Sequence, residues 1–192
     1  MPVPRYTVPS LTPEVGGKVA AILQQRLNSL NDLALTLKHV HWNVVGPHFI
    51  AVHEMLDPQV DAVRLMVDAT AERIATLGVS PVGTPGALVK ARSWDDYSLG
   101  RAGAIEHLGA LDEVYIGVIE DHRKAADETE SLDAVTNDML IGQAAELEQF
   151  HWFVRAHLES SAGELSTADA RTEQGAARSA AKGATKSAKK AK

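Results

Sequence analysis

TPEVGGKVAAILQQRLNSLNDLALTLKHVHWNVVGP, residues 12–47, sets Ile22, Leu23, Leu27, Leu30, Leu33, Leu37 and Val40 three or four positions apart. A row of that period is one face of an amphipathic helix, not a strand. Thr12 can cap it, and Pro13 fits the first helical position, where the missing N–H costs nothing. Gly46–Pro47 ends it.

The same reading extends outward. A second helix is predicted over about residues 48–77, stopping at Gly78. VSPVGTPGA then reads as a loop, and Ser93, Asp95 and Asp96 are placed to cap a short helix around 93–97. Two more long helices are predicted over about 102–128 and 132–159. Four long helices joined mostly by short loops form an up-and-down bundle. The long connection lies between helices two and three and carries the extra helix. Pro58 falls inside the second helix, where it removes a hydrogen bond and crowds the preceding turn. Val60, Val63, Leu65 and Val67 keep the chain apolar beyond it, so a kink at Asp57–Pro58 is expected rather than a break.

Composition agrees with an all-α class. The 192 residues are 45% hydrophobic and 23% charged, which suits one globular domain with a real core. Trp, Tyr and Phe number three each, too few for a typical β-rich domain. Cysteine is absent, which excludes a disulfide scaffold, a zinc finger, an iron–sulfur protein and a thiol enzyme, and fits a reducing cytoplasm. The first 20 residues hold no apolar signal-peptide core, and nowhere do 18 apolar residues run together, so no membrane partner is expected.

Charge is informative once it is divided. The chain carries −6 overall, yet residues 174–192 (QGAARSAAKGATKSAKKAK) hold six cations and no acid, which leaves −12 on residues 1–173. That segment has no Leu, Ile, Val or aromatic residue, so it is expected to be disordered when free. The division expected is residues 1–160 as the bundle and 161–192 as a flexible tail, basic from 174.

Metal-ligand spacing appears on the second helix. His53 and Asp57 are four apart, as are Asp68 and Glu72, so each pair shares a helix face. Imidazole nitrogen with carboxylate oxygen suits Fe, Mn or Zn better than Ca or Mg. Residues 53 and 68 are separated by about 22 Å along one helix, at about 1.5 Å per residue. Metal–ligand bonds span only about 2.0–2.6 Å. Either these are two sites, or a second subunit completes each one. Two copies packed antiparallel about a twofold would set His53 and Asp57 of one against Asp68 and Glu72 of the other, and economy favours that arrangement. His39 and His41, about 200° apart around a helix, cannot both face one site. Glu148-x-x-His151 resembles half of a di-iron bundle signature, but no second Glu-x-x-His exists in the chain, so this pair reads as structural.

His41-Trp42-Asn43-Val44, Gly46-Pro47-x-Phe49, His53-Glu54-x-x-Asp57 and Asp68-x-x-Ala71-Glu72-Arg73-Ile74-x-x-Leu77-Gly78 together resemble the signature of the Dps family, the DNA-binding proteins from starved cells or bacterial mini-ferritins. The resemblance covers about residues 15–160. It implies a ferritin-like four-helix bundle assembled as a hollow dodecamer of 23 symmetry, built on twofold dimers. It implies a ferroxidase centre between subunits, with His41, His53 and Asp57 from one chain and Asp68 and Glu72 from its mate. Trp42 would sit beside that centre, either taking up oxidising equivalents or simply packing. The implied chemistry is oxidation of Fe2+, usually by hydrogen peroxide, with non-haem Fe3+ stored as oxide in the cavity. Carboxylate-lined threefold pores would admit the ion; Asp121, Asp127 and Asp138 are the candidates, followed by Glu113.

Arg178, Lys182, Lys186, Lys189, Lys190 and Lys192 resemble the basic termini by which some Dps members bind double-stranded DNA. Each can displace a counterion, giving weak, sequence-independent, salt-sensitive contacts that repetition on a shell strengthens. No aromatic residue interleaves them, so base stacking is not expected. The expected setting is the cytoplasm, on the nucleoid. Two rival readings stand beside this one: a DNA-compacting protein with little ferroxidase activity, and a 24-subunit ferritin with a centre inside each subunit.

Overall fold

The computed structural model describes residues 3–190, with side chains as far as Thr185. Among these the elements are α1 (Pro13–Asn43), β1 (Val44–Val45), α2 (Phe49–Thr76), α3 (Pro85–Ala91), β2 (Ala102–Gly103), α4 (Ala104–Thr129), α5 (Ala134–Ala156) and α6 (Glu173–Lys190). The protein is all-α apart from β1 and β2, which pair in parallel through Val44 with Ala102 and Val45 with Gly103. At the start of α1 the Thr12 hydroxyl accepts the Val15 N–H at 3.3 Å. α2 continues through Pro58 for 28 residues, so the proline does not break it.

The four long helices each contribute to two compact units. The first comprises the chain to Leu35, Asp61–Trp94 and Val118–Ala145. Its core is Val19, Leu23 and Leu27 of α1, Ile74 and Leu77 at and beyond the end of α2, Ala125 and Ala126 of α4, and Leu140 of α5. Removing this apolar surface from water supplies the main driving force. Gly78 turns the chain at φ +85°, and a Cβ there would run into the Tyr6 carbonyl oxygen. The turn therefore needs glycine for both its dihedral and its space.

The second unit comprises Thr36–Val60, Asp95–Gly117 and the chain from Glu146. Leu37, Val40, Val52, Leu56, Leu108, Leu111, Tyr115, Leu147 and Val154 are buried in it. The buried Asp112 carboxylate accepts the Thr167 hydroxyl at 2.6 Å and faces His151 Nε2 at 2.7 Å. His151 is thus part of a structural clamp on the segment after α5, as expected for an incomplete di-iron signature.

Two expectations need correction. The short helix of the long connection is α3, which opens at Thr84–Pro85 inside the stretch read as a loop. Pro at the first helical position is a start signal as well as a loop signal. Residues 93–97 are not helical; instead Trp94 Nε1 donates to Asp32 Oδ2 at 2.8 Å and anchors the segment. The segment expected to be disordered is helical over Glu173–Lys190. Alanine has the highest helix propensity, and Ala176, Ala177 and Ala180 are buried. Their partner is Gly109, where a Cβ would stand 2.7 Å from the Ala176 oxygen and 2.8 Å from the Ala180 Cβ. Glu173 accepts the Ser98 N–H at 2.7 Å. A helix of small side chains packs by close approach, which a count of large apolar residues does not register.

Candidate metal centre

His41 lies in the last turn of α1 and His53 in the second turn of α2. Their rings stack with centroids 3.6 Å apart. The hydrogen bonding is reciprocal: His41 Nδ1 lies 2.9 Å from the His53 carbonyl oxygen, and His53 Nδ1 lies 2.9 Å from the His41 carbonyl oxygen. A carbonyl only accepts, so each Nδ1 must carry the proton. With Nδ1 so occupied, Nε2 is the nitrogen each ring can offer a metal. Two intervening features, the Gly46–Pro47 turn and the β1–β2 pairing, fix how α2 follows α1 within this unit.

Asp57 stands one turn beyond His53, as the spacing predicts. Its Oδ1 lies 3.3 Å from His41 Nδ1 and 3.0 Å from Lys38 Nζ. The hydrogen bond from Lys38 is the main influence holding this carboxyl below its ordinary pKa; desolvation opposes it, and the positive charge of Lys38 adds to the lowering. Lys38 is the residue that sequence reasoning missed. It stands three positions before His41, on the same face of α1, and that spacing was the available signal.

Trp42 is 71% exposed, with Lys38 Nζ 5.7 Å from its ring centroid. The Phe49 ring lies 5.0 Å from that of His53. His39 is set apart, its Nε2 2.8 Å from the Leu99 carbonyl oxygen and its ring edge-on to Tyr97. The prediction that His39 and His41 serve different surroundings therefore holds.

Asp68 and Glu72 occupy the part of α2 that belongs to the first unit, one turn apart and both exposed. Among the described residues no group of three or more His, Asp or Glu is placed to hold a metal ion by itself. His41, His53 and Asp57 lie close together on the facing ends of α1 and α2 but do not by themselves make up a metal site.

Of the pore candidates, Asp121 is engaged by Arg26 at 3.2 Å, while Asp127 and Asp138 are exposed. Burial pushes the Glu113 carboxyl pKa up, and the adjacent Asp112 adds to the rise. On α6, Arg178 and Lys182 are exposed one turn apart, and Arg178 Nε donates to the Gln174 carbonyl at 3.0 Å. Lys186, Lys189 and Lys190 lie on the α6 backbone beyond the described side chains, and Lys192 lies outside the described residues. Among the described residues no helix is long and apolar enough to cross a membrane.

Comparison with known proteins shows the family to which the chain belongs. A ferritin-like domain family model matches residues 20–162. The DNA protection during starvation protein of Mycolicibacterium smegmatis is 59% identical over 172 residues, spanning 90% of this chain and 94% of that protein. Among solved structures, Mycobacterium smegmatis Dps superposes with a TM-score of 0.87 at 59% identity, over 89% of this chain and 98% of that one. DpsA14 from Streptomyces coelicolor superposes with a TM-score of 0.84 at 64% identity, over 85% and 97%.

Proposed function

The chain belongs to the Dps family of ferritin-like proteins, and from that membership we propose that it oxidises Fe2+ at centres shared between two subunits, stores the ferric product and binds DNA without sequence preference. The observation that carries the iron half is the reciprocal Nδ1 bonding of His41 and His53, which turns Nε2 into the donor atom each ring can offer a metal, with the Asp57 carboxylate 3.3 Å from His41 Nδ1. Imidazole with carboxylate suits Fe2+, and hard anionic oxygen favours Fe3+ once it forms.

In this reading His41, His53 and Asp57 of one subunit bind the substrate ion, and Asp68 and Glu72 of a twofold mate complete its ligands. The exposure of Asp68 and Glu72 leaves both carboxylates open to such a mate. Hydrogen peroxide accepts one electron from each of two Fe2+ ions, takes up two protons and leaves as two waters, so no hydroxyl radical is released. Trp42 stands on the same turn as His41 and is positioned to take up a stray oxidising equivalent. The assembly proposed is a dodecamer of 23 symmetry, with acidic pores formed by Asp127 and Asp138 and, less directly because of Arg26, by Asp121. α6 and the residues after it supply the DNA contacts, in the cytoplasm and on the nucleoid.

Co-assembly of two inactive variants tests the shared centre. His53→Ala and Glu72→Ala particles should each oxidise Fe2+ slowly with peroxide under anaerobic conditions, as read by the growth of Fe3+ absorbance. Each mixed dimer, however, restores one complete centre out of its two. Recovery of activity on mixing supports the shared centre; mixed particles no faster than either parent would reject it.

A further inference from the structure

The strongest feature left without a role is Lys38. Its side chain is only 19% exposed, so it does not sample solvent as a free surface lysine does. Its ammonium meets Asp57 Oδ1 at 3.0 Å, and the same oxygen faces His41 Nδ1 at 3.3 Å. Asp57 is 51% exposed and therefore open to an arriving ion. A metal ion bound to this carboxylate would sit about 2.0–2.2 Å from an oxygen. A fixed ammonium against the same carboxylate would repel it at close range. The ammonium must then leave or the metal must bind weakly. Lysine can leave, because its charge sits on a flexible four-carbon stem. The Trp42 ring, one helical turn along α1, lies 5.7 Å from Nζ, within the range where an aromatic face attracts a cation.

We propose that Lys38 is an exchangeable counter-cation of Asp57: it neutralises and positions the carboxylate before a metal ion arrives, yields it to the ion, and moves toward the Trp42 ring. Lys38 is thus a positioning residue that sets how tightly the Asp57 side of the centre holds a divalent cation. Weakened binding suits a centre that must pass its product on instead of keeping it. The inference rests on the reading of His41, His53 and Asp57 as ligands.

Titration of the assembled protein with Zn2+, which is redox-inert, tests it. Calorimetry gives the affinity, and tryptophan emission reports the move of Nζ. Removing the ammonium that Zn2+ must displace from Asp57 spares the cost of breaking a partly exposed ion pair, so Zn2+ binding should tighten by up to about ten-fold in Lys38→Met, with Lys38→Gln as a second neutral variant. Lys38→Arg, which keeps the charge, should restore the weaker affinity. Zn2+ should change the emission of the wild type, and that change should vanish in Lys38→Met and in Trp42→Phe. Particle size by sedimentation confirms that each variant is assembled. Neutral variants that bind Zn2+ no tighter than the wild type overturn the proposal, as does an emission change that survives in Lys38→Met. His53→Ala separates the two readings: if it binds Zn2+ as the wild type does, the ligand assignment itself fails. If it loses binding while Lys38→Met behaves as wild type, only the role of Lys38 fails.

Discussion

His122 is fully buried on α4, with Nε2 3.1 Å from Gln143 Oε1, and burial pushes its pKa down to about 4. The unfolded chain protonates this residue near its ordinary value of 6.5, the folded chain only near 4. Between those values the unfolded state binds more protons, so stability falls as the pH falls. The contribution is complete above about pH 6.5 and is lost progressively toward 4. His122→Gln should give a flatter dependence of the thermal midpoint across that window than the wild type; parallel curves would show that another group governs it. The same scale shows what sequence can and cannot reveal. His53 and Asp57 were legible together because helical spacing sets them on one face of α2, whereas His41, on α1, was singled out only by the family resemblance. The stacking of the two rings and their exchanged Nδ1 bonds were not, because they depend on the turn at Gly46–Pro47 and on backbone oxygens that no side-chain pattern encodes. Lys38 was overlooked because a lysine on a helix reads by default as solvated.

Between the long and the short elements the sequence is unequally informative. α1, α2, α4 and α5 repeat an apolar period over 23 or more residues, and that repetition locates them to within a few positions. α3 has seven residues and no buried side chain, so its sequence carries no periodic signal and Thr84–Pro85 alone marks it. α6 fails differently: its buried face is alanine, and the information that it packs resides in Gly109 on another helix. Gly109→Val tests that seam. The added side chain must displace the Ala176 carbonyl, and overpacking of this kind costs about 1–3 kcal/mol. Because α6 buries little more than methyl groups, a cost of that size should detach it. Trypsin should then cut after Arg178 and Lys182 many times faster than in the wild type, while α1, α2, α4 and α5 keep their ellipticity. Equal cleavage rates would mean that α6 is not held by this contact.

For the whole molecule the informative quantity is where charge lies along the chain. Residues 174–192 hold six of its cations and no acid, against −12 for the remainder, so repulsion between the remainder and phosphate has to be overcome by the terminal segment. One such segment binds DNA weakly, but copies repeated on a closed assembly bind in concert, since the first contact raises the local concentration for the next. Each contact also releases counterions, so the affinity of the intact particle should fall steeply, by orders of magnitude, between about 50 and 200 mM salt. Deletion of 174–192 removes every one of these cations while leaving His41, His53, Asp57, Asp68 and Glu72 untouched. The shortened protein should therefore fail to shift plasmid DNA at any salt concentration, yet oxidise Fe2+ with peroxide at the wild-type rate. A retained shift would move DNA binding to another surface. A retained assembly that has lost oxidation along with the shift would mean that α6, through Gly109 and Ser98 on elements of the same unit, supports the iron site as well as contacting DNA.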